Sequence, residues 1–256
     1  LCLGDAQIPY HDAGFINHLK EVAFAWGVKH CLWVGDMVDL DSLSIFMTQR
    51  TKDLEQELIE DQTALEGLKA GFERVTWCAG NHEDRASRAI GNFIGIGRLA
   101  KLLGIDGVQT TNYYFIEIGY DWLATHPKNT SRIPARVSSL LADKFGKNVI
   151  SFHGHLTGVS QSLNGKYLAI DAGIVADPQR IEYNMVRQGT YPAMTQGAVM
   201  LIKDEDRFYP HVYNRFTQWE TEVRMGEEWL KSKSRLSRNS PATKRTPKVA
   251  KKSRTG

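Results

Sequence analysis

The sequence predicts an α/β protein in which two β-sheets pack face to face with helices outside them. Three observations predict it. The first part alternates short apolar runs with helical stripes, as a parallel β-α-β-α-β sheet requires. The later part pairs apolar runs across tight turns, as antiparallel hairpins do. Five of the runs end on side chains able to bind a metal ion: Asp5, the pair Asp36 and Asp39, the group Asn81-His82-Glu83, His126, and the pair His153 and His155.

Leu1-Cys2-Leu3 reads as a strand already under way, so the sequence is expected to be trimmed ahead of its first residue. Residues 6–12 form a loop punctuated by Pro9. Phe15, Leu19, Val22 and Trp26 then recur at helical spacing, closed by Gly27. The strand at 30–34 completes a right-handed unit whose ligand sites lie at the strands' carboxyl ends. Residues 42–47 suggest a short helix, and Leu54, Leu58, Leu65, Leu68 and Phe72 mark one face of a longer one. The strand at 74–79 runs into Gly80. Helical stretches follow around 85–90 and 96–103.

Beyond them the pattern changes. Residues 113–118 and 122–125 flank Gly119-Tyr120-Asp121, 134–145 is helical, and 149–152 is a strand. Asn164-Gly165 between 159–163 and 167–170 is a strong hairpin signal. A last hairpin turns at Asp204-Glu205-Asp206, and Trp219, Val223 and Leu230 mark a final helix. The expected organisation is a folded domain over 1–216, a C-terminal helix over 217–230 and a disordered basic tail over 231–256.

Composition narrows the setting. At 42% hydrophobic the chain supports a packed core, and no window approaches a membrane span. Cys2, Cys31 and Cys78 are odd in number, far apart and within strands, which suits buried reduced thiols and a cytoplasmic location. The net charge of +3 conceals an asymmetry, because ten basic and no acidic residues lie between Lys231 and Gly256. Such a tail buries too little apolar surface to fold alone and can bind phosphate polyanions by counterion release. A solubilising terminus is the plainer alternative.

The strand-end motifs, taken in order, resemble those of the calcineurin-like metallophosphoesterases: Asp5, Gly35-Asp36-Met37-Val38-Asp39, Gly80-Asn81-His82-Glu83, His126 and Gly154-His155. The stretches 8–12 and 41–44 also resemble a subgroup common in phage and prophage sequences. The resemblance runs from Asp5 to about Asn214 and implies a four-layer αββα sandwich of two mixed sheets flanked by helices. It implies that Asp36 bridges two divalent ions, that Asn81, His126 and His155 complete one site, and that Asp5 belongs to the other. His82 would steady the phosphate and assist the leaving group, Glu83 would orient His82, and Asp39 would support the Asp36 loop. Two such ions lower the pKa of a bridging water and clamp the phosphoryl oxygens.

The chain departs from the family in one place. Gln7 and Thr157 stand where the first site has histidines. An amide carbonyl and a hydroxyl still touch a hard cation, so one or two ions are expected, manganese first, with magnesium, iron(II) or zinc as alternatives. A shifted register would make His153 and His155 the pair, and His11 could also compensate. Arg85, Lys128 and Arg132 are candidates for substrate phosphates.

The expected function is thus a metal-dependent phosphodiesterase acting through a metal-activated hydroxide, with nucleic acid as a candidate substrate. The alternative is a degenerate, non-catalytic phosphate or nucleic-acid binder with one metal site.

Overall fold

A computed structural model describes residues 1–45, 53–181 and 193–239, with side chains described as far as residue 235. Parallel strands β1 (Cys2–Leu3), β2 (His30–Val34), β3 (Arg74–Cys78) and β4 (Val108–Thr111) alternate with helices α1 (Ala13–Ala25), α2 (Leu54–Lys69), α3 (Asp84–Ala89) and α4 (Ile96–Leu102). Asp12 caps α1, its Oδ1 accepting from the Phe15 N–H at 3.0 Å. Next come β5 (Phe115–Ile118), β6 (Trp122–Thr125), α5 (Arg136–Phe145), β7 (Asn148–Ser151), β8 (Thr157–Gln161) and β9 (Leu168–Ala172). The hairpin β10 (Gly197–Asp204) and β11 (Arg207–Asn214) leads to α6 (Trp219–Asn239).

Two sheets result, ordered β11-β10-β1-β2-β3-β4 and β5-β6-β7-β9-β8. Both are mixed. Strand alternation divides the first sheet's side chains between two cores. Leu3, Trp33 and Trp77 pack with α1, α2 and α4, whereas Cys2, Leu32, Val34 and Cys78 meet Trp122, Ile150, Phe152 and Ile170 of the second sheet. Leu123, Val149 and Ala169 cover the far face with Ala142 of α5. The layers are therefore helix, sheet, sheet, helix, as the sandwich expectation holds. The three cysteines are buried and unpaired. No helix among the described residues is long and apolar enough to cross a membrane.

Three expectations change. The chain does not split into a parallel half and an antiparallel half: β10 returns to the first sheet, pairing Val199 with Cys2, and the second sheet has parallel pairs of its own. A hairpin turn fixes which strands are neighbours but not which sheet they join. The short helix expected at 42–47 is a 3-10 turn over Asp41–Leu43; Ser44 leaves it in an extended conformation, and residues 46 and 47 lie outside the described residues. The last helix continues past residue 230 to Asn239, taking in the start of the expected tail. There Lys233 pairs with Asp204 of β10 and lies over the Trp229 ring, which gives the extra turns something to hold. The tail beyond Asn239 lies outside the described residues.

Candidate metal centre

The metal-type side chains converge where the carboxyl ends of both sheets meet. A Cβ at Gly35, whose φ is 74°, would fall 2.5 Å from the His126 ring, and one at Gly80 would fall 2.3 Å from Asp36 Oδ1. Glycine at these positions lets the loops after β2, β3 and β6 approach within contact distance. Asp5, Gln7, Asp36, His153 and His155 all take left-handed backbone conformations, with φ of 50°, 43°, 49°, 70° and 56°. Non-glycine residues rarely do so, and a cluster of them stores strain of the kind found at ligand sites.

Two fully buried carboxylates form the centre. Asp5 Oδ1 lies 3.2 Å from His126 Nε2 and 3.0 Å from His155 Nε2, and its Oδ2 accepts from the His153 N–H at 2.8 Å. Asp36 Oδ1 accepts from the His82 N–H at 2.8 Å, while its Oδ2 lies 3.3 Å from His126 Nε2 and 3.7 Å from His82 Nε2. Burial opposes ionisation of both, yet the neighbouring imidazoles outweigh it and hold both carboxyls well below the usual range. Burial likewise opposes charge on His126, and Asp36 and Asp5 overcome it, raising the ring well above imidazole's ordinary value. Buried anions need cationic partners, and here imidazolium fills a role open to a metal ion.

The donor set fits such an ion. Asp36, His126 and His153 offer ligand atoms all within 4.8 Å of one another. Asp36 Oδ2, Asn81 Oδ1 and His153 Nδ1 are buried without a hydrogen-bond partner, which is costly for a polar atom unless a ligand satisfies it. Burial, with the charge of His126 beside it, pushes His153 down to about 4, so this ring is neutral and its nitrogens can coordinate. The structure thus places His153, not His155, in the group with Asp36 and His126. His155 goes to Asp5. Both histidines of the pair lie at the centre, and a two-residue shift in a strained loop is invisible to motif spacing.

Glu83 and Asp39 exchange the roles expected of them. The Glu83 carboxylate accepts from the Asp36, Met37 and Gly80 N–H groups at 2.9, 2.8 and 2.8 Å, so it ties the loop after β3 to the loop after β2. Burial and the Asp36 charge push it up to about 7. Asp39 is the partner of His82, with Oδ1 2.6 Å from Nδ1. Burial works against a charged His82 ring, but Asp36 and Asp39 prevail and raise it.

Arg85 is a correction as well. The expected phosphate clamp is buried: Nη1 donates to the Asp39 carbonyl at 2.7 Å and to its Oδ1 at 3.3 Å, and Nη2 lies 3.1 Å from His82 Nε2. It braces the His82–Asp39 pair from within. Asp41, 3.6 Å from Arg85 and accepting from the Tyr10 hydroxyl at 2.6 Å, extends this network and was not singled out by sequence. Gln7 is fully buried beside the centre, its N–H bonded to the Asp36 carbonyl at 2.9 Å. Thr157 is engaged elsewhere, since its N–H and hydroxyl bond Thr195 and Gln196 ahead of β10. Lys128 and Arg132 are exposed, and Lys128 Nζ lies 4.9 Å from the centroid of the Tyr114 ring.

No protein-family model matches the chain. No curated protein matches it either. Among solved structures it is similar to the Pseudomonas putida nuclease MPE, at 11% identity and a TM-score of 0.37 over 82% of this chain and 86% of that one. It is also similar to YfcE, a phosphoesterase from E. coli, at 13% identity and a TM-score of 0.39 over 83% and 97%. These neighbours are a nuclease and a phosphoesterase. At such distance neither carries a function to this chain, and the centre's own chemistry must do so.

Proposed function

We propose that the protein is a metal-dependent hydrolase of phosphate esters, with a phosphodiester as substrate. The observation that carries the proposal is the pairing of two buried carboxylates ringed by three histidines with a fourth, His82, held by its own aspartate. Asp36, His126, His153 and Asn81 would hold one ion; Asp5, His155 and Gln7 offer a weaker second place. Manganese suits this mixed oxygen and imidazole set. A divalent ion bound there polarises a phosphoryl oxygen and lowers the pKa of a coordinated water.

The remaining steps belong to the chain. Asp39 fixes Nδ1 of His82, so Nε2 is the nitrogen that can pass a proton to a leaving oxygen. Asp36 and Asp39 favour the protonated ring, while Arg85 favours the neutral ring left after transfer. Lys128 and Arg132 would meet the substrate's outer phosphates, and the basic residues from Lys231 onward would add affinity for a nucleic-acid strand by counterion release. Residues 1–216 form the catalytic unit in this reading, and three buried free thiols support a cytoplasmic setting. A non-catalytic binder is favoured only by Gln7 and Thr157 standing where imidazoles are expected, and binding alone leaves the His82–Asp39 pair without a use.

Asp36→Asn and His82→Asn separate binding from chemistry. Asp36→Asn is expected to lose both tightly held metal, by elemental analysis, and turnover of bis(p-nitrophenyl) phosphate. His82→Asn is expected to keep the metal and lose roughly 10²- to 10⁴-fold in kcat, most with a poor leaving group. Wild-type protein that holds no divalent metal and gains no activity with added Mn²⁺ would sink the proposal.

A further inference from the structure

Beside the metal centre lies a cleft of about 510 Å³ with Ala79, Arg88, Phe93, Ile94, Asn112 and Tyr114 in its walls. A second cavity of about 380 Å³ adjoins it, sharing Phe93 and Asn112. We propose that the cleft is a subsite for the nucleobase of a nucleotide ester whose phosphate sits at the metal centre, an inference that rests on the phosphoesterase reading.

Position comes first. Ala79 directly precedes Gly80-Asn81, Arg88 Nη2 donates to the Asn81 carbonyl at 3.2 Å, and the Tyr114 carbonyl accepts from the His126 N–H at 2.8 Å. The cleft therefore shares backbone with two metal-type residues, and a group attached to a bound phosphate has this space next to it.

The chemistry of the walls then selects the group. Phe93 is 61% exposed, stands between the two cavities and offers an uncovered aromatic face. Tyr114 presents a second ring with Lys128 over it and its hydroxyl donated to Asp84. Asn112 Oδ1 accepts from the Ile96 N–H at 2.9 Å, which fixes the amide and leaves its Nδ2 as a donor for a ring acceptor. Apolar walls with one or two fixed polar groups suit a planar heterocycle, and the Arg88 guanidinium in the wall complements its phosphate. The loop carrying Phe93 is held at its far end, where Ser87 Oγ accepts from the Ile94 N–H at 2.9 Å.

Calorimetric titration of the Mn²⁺-supplemented protein with adenosine 5′-monophosphate and with ribose 5-phosphate tests this. Wild type is expected to bind the nucleotide about tenfold more tightly than the sugar phosphate, the usual worth of one stacked base. Phe93→Ala should erase the preference without weakening ribose 5-phosphate, and Phe93→Leu should restore it only in part, since an aliphatic chain has no π face. Equal binding of the two ligands by wild type, no binding of either, or a preference that survives Phe93→Ala would overturn the subsite. Turnover of bis(p-nitrophenyl) phosphate by the same preparations keeps the two levels apart. A base preference without turnover refutes the hydrolase and leaves the subsite standing, whereas turnover without preference refutes the subsite alone.

Discussion

His30 shows how a single residue, far from the metal centre, ties stability to pH. Its Nε2 lies 2.9 Å from Thr76 Oγ1, joining β2 to β3. Burial, with the Arg74 charge beside it, pushes the ring down to about 4, while in an unfolded chain it keeps a value of about 6.5. Between these values the unfolded chain binds a proton that the folded chain refuses. This contribution is therefore complete above pH about 6.5 and is lost as pH falls toward 4. Denaturant midpoints across that range should fall less steeply in His30→Gln than in wild type; parallel curves would contradict the assignment. The residue scale also shows where sequence stops informing. Asp5, Asp36 and His126 were legible because each follows an apolar run. The exchange of roles between Glu83 and Asp39 was not, because it depends on where three backbone N–H groups point, and Arg85 looked like any charge after a motif until its burial was seen.

Among elements, α6 is the one whose extent the sequence understated. It packs on α1 through Trp26, whose indole Nε1 donates to the Glu222 carbonyl at 3.1 Å and whose ring lies 5.8 Å from that of Trp229. Basic residues after 230 suggested a tail because composition cannot show that Asp204 waits opposite Lys233. β4 was missed for a similar reason: Val-Gln-Thr-Thr has neither an apolar run nor alternation, and its strand form comes from pairing with β3. The close fit of α6 permits a paired test. A methyl at Gly226 would lie 2.5 Å from Trp26 Cδ1 and 2.9 Å from the Ala25 carbonyl carbon, whereas one at Gly67 of α2 meets nothing within 4 Å. Helix propensity favours alanine over glycine by about 1 kcal/mol, while overpacking costs about 1–3 kcal/mol. Gly67→Ala should stabilise the protein by up to about 1 kcal/mol, and Gly226→Ala should destabilise it by a similar amount or more, in urea unfolding. The same sign for both would mean that α6 does not pack on Trp26 as described.

At the scale of the whole molecule, charge is divided between a folded body and the chain after it. Removing everything beyond Asn239 spares α6 and takes away six basic residues, Lys244, Arg245, Lys248, Lys251, Lys252 and Arg254. Turnover of a small ester should be unchanged, while affinity for a DNA duplex should drop and its logarithmic salt dependence become shallower, by up to about 5 units of slope. Identical slopes with and without these residues would exclude them from binding. The layered architecture was legible in the alternation of runs and stripes. The sheet to which β10 and β11 belong was not, because a hairpin carries no signal for a partner almost two hundred residues away. That partner is β1, two residues long, paired on one side with β2 and on the other with β10. Asp5 lies two residues beyond its end, and its backbone is further held by bonds to Gly35 and Ala176. During synthesis Asp5 leaves the ribosome on the order of ten to forty seconds before Val199 at ordinary elongation rates. For that interval β1 has β2 beside it but not β10, so Asp5 is held from one side only. The first carboxylate of the centre thus sits on a strand whose second neighbour arrives only after every strand of the other sheet has been made.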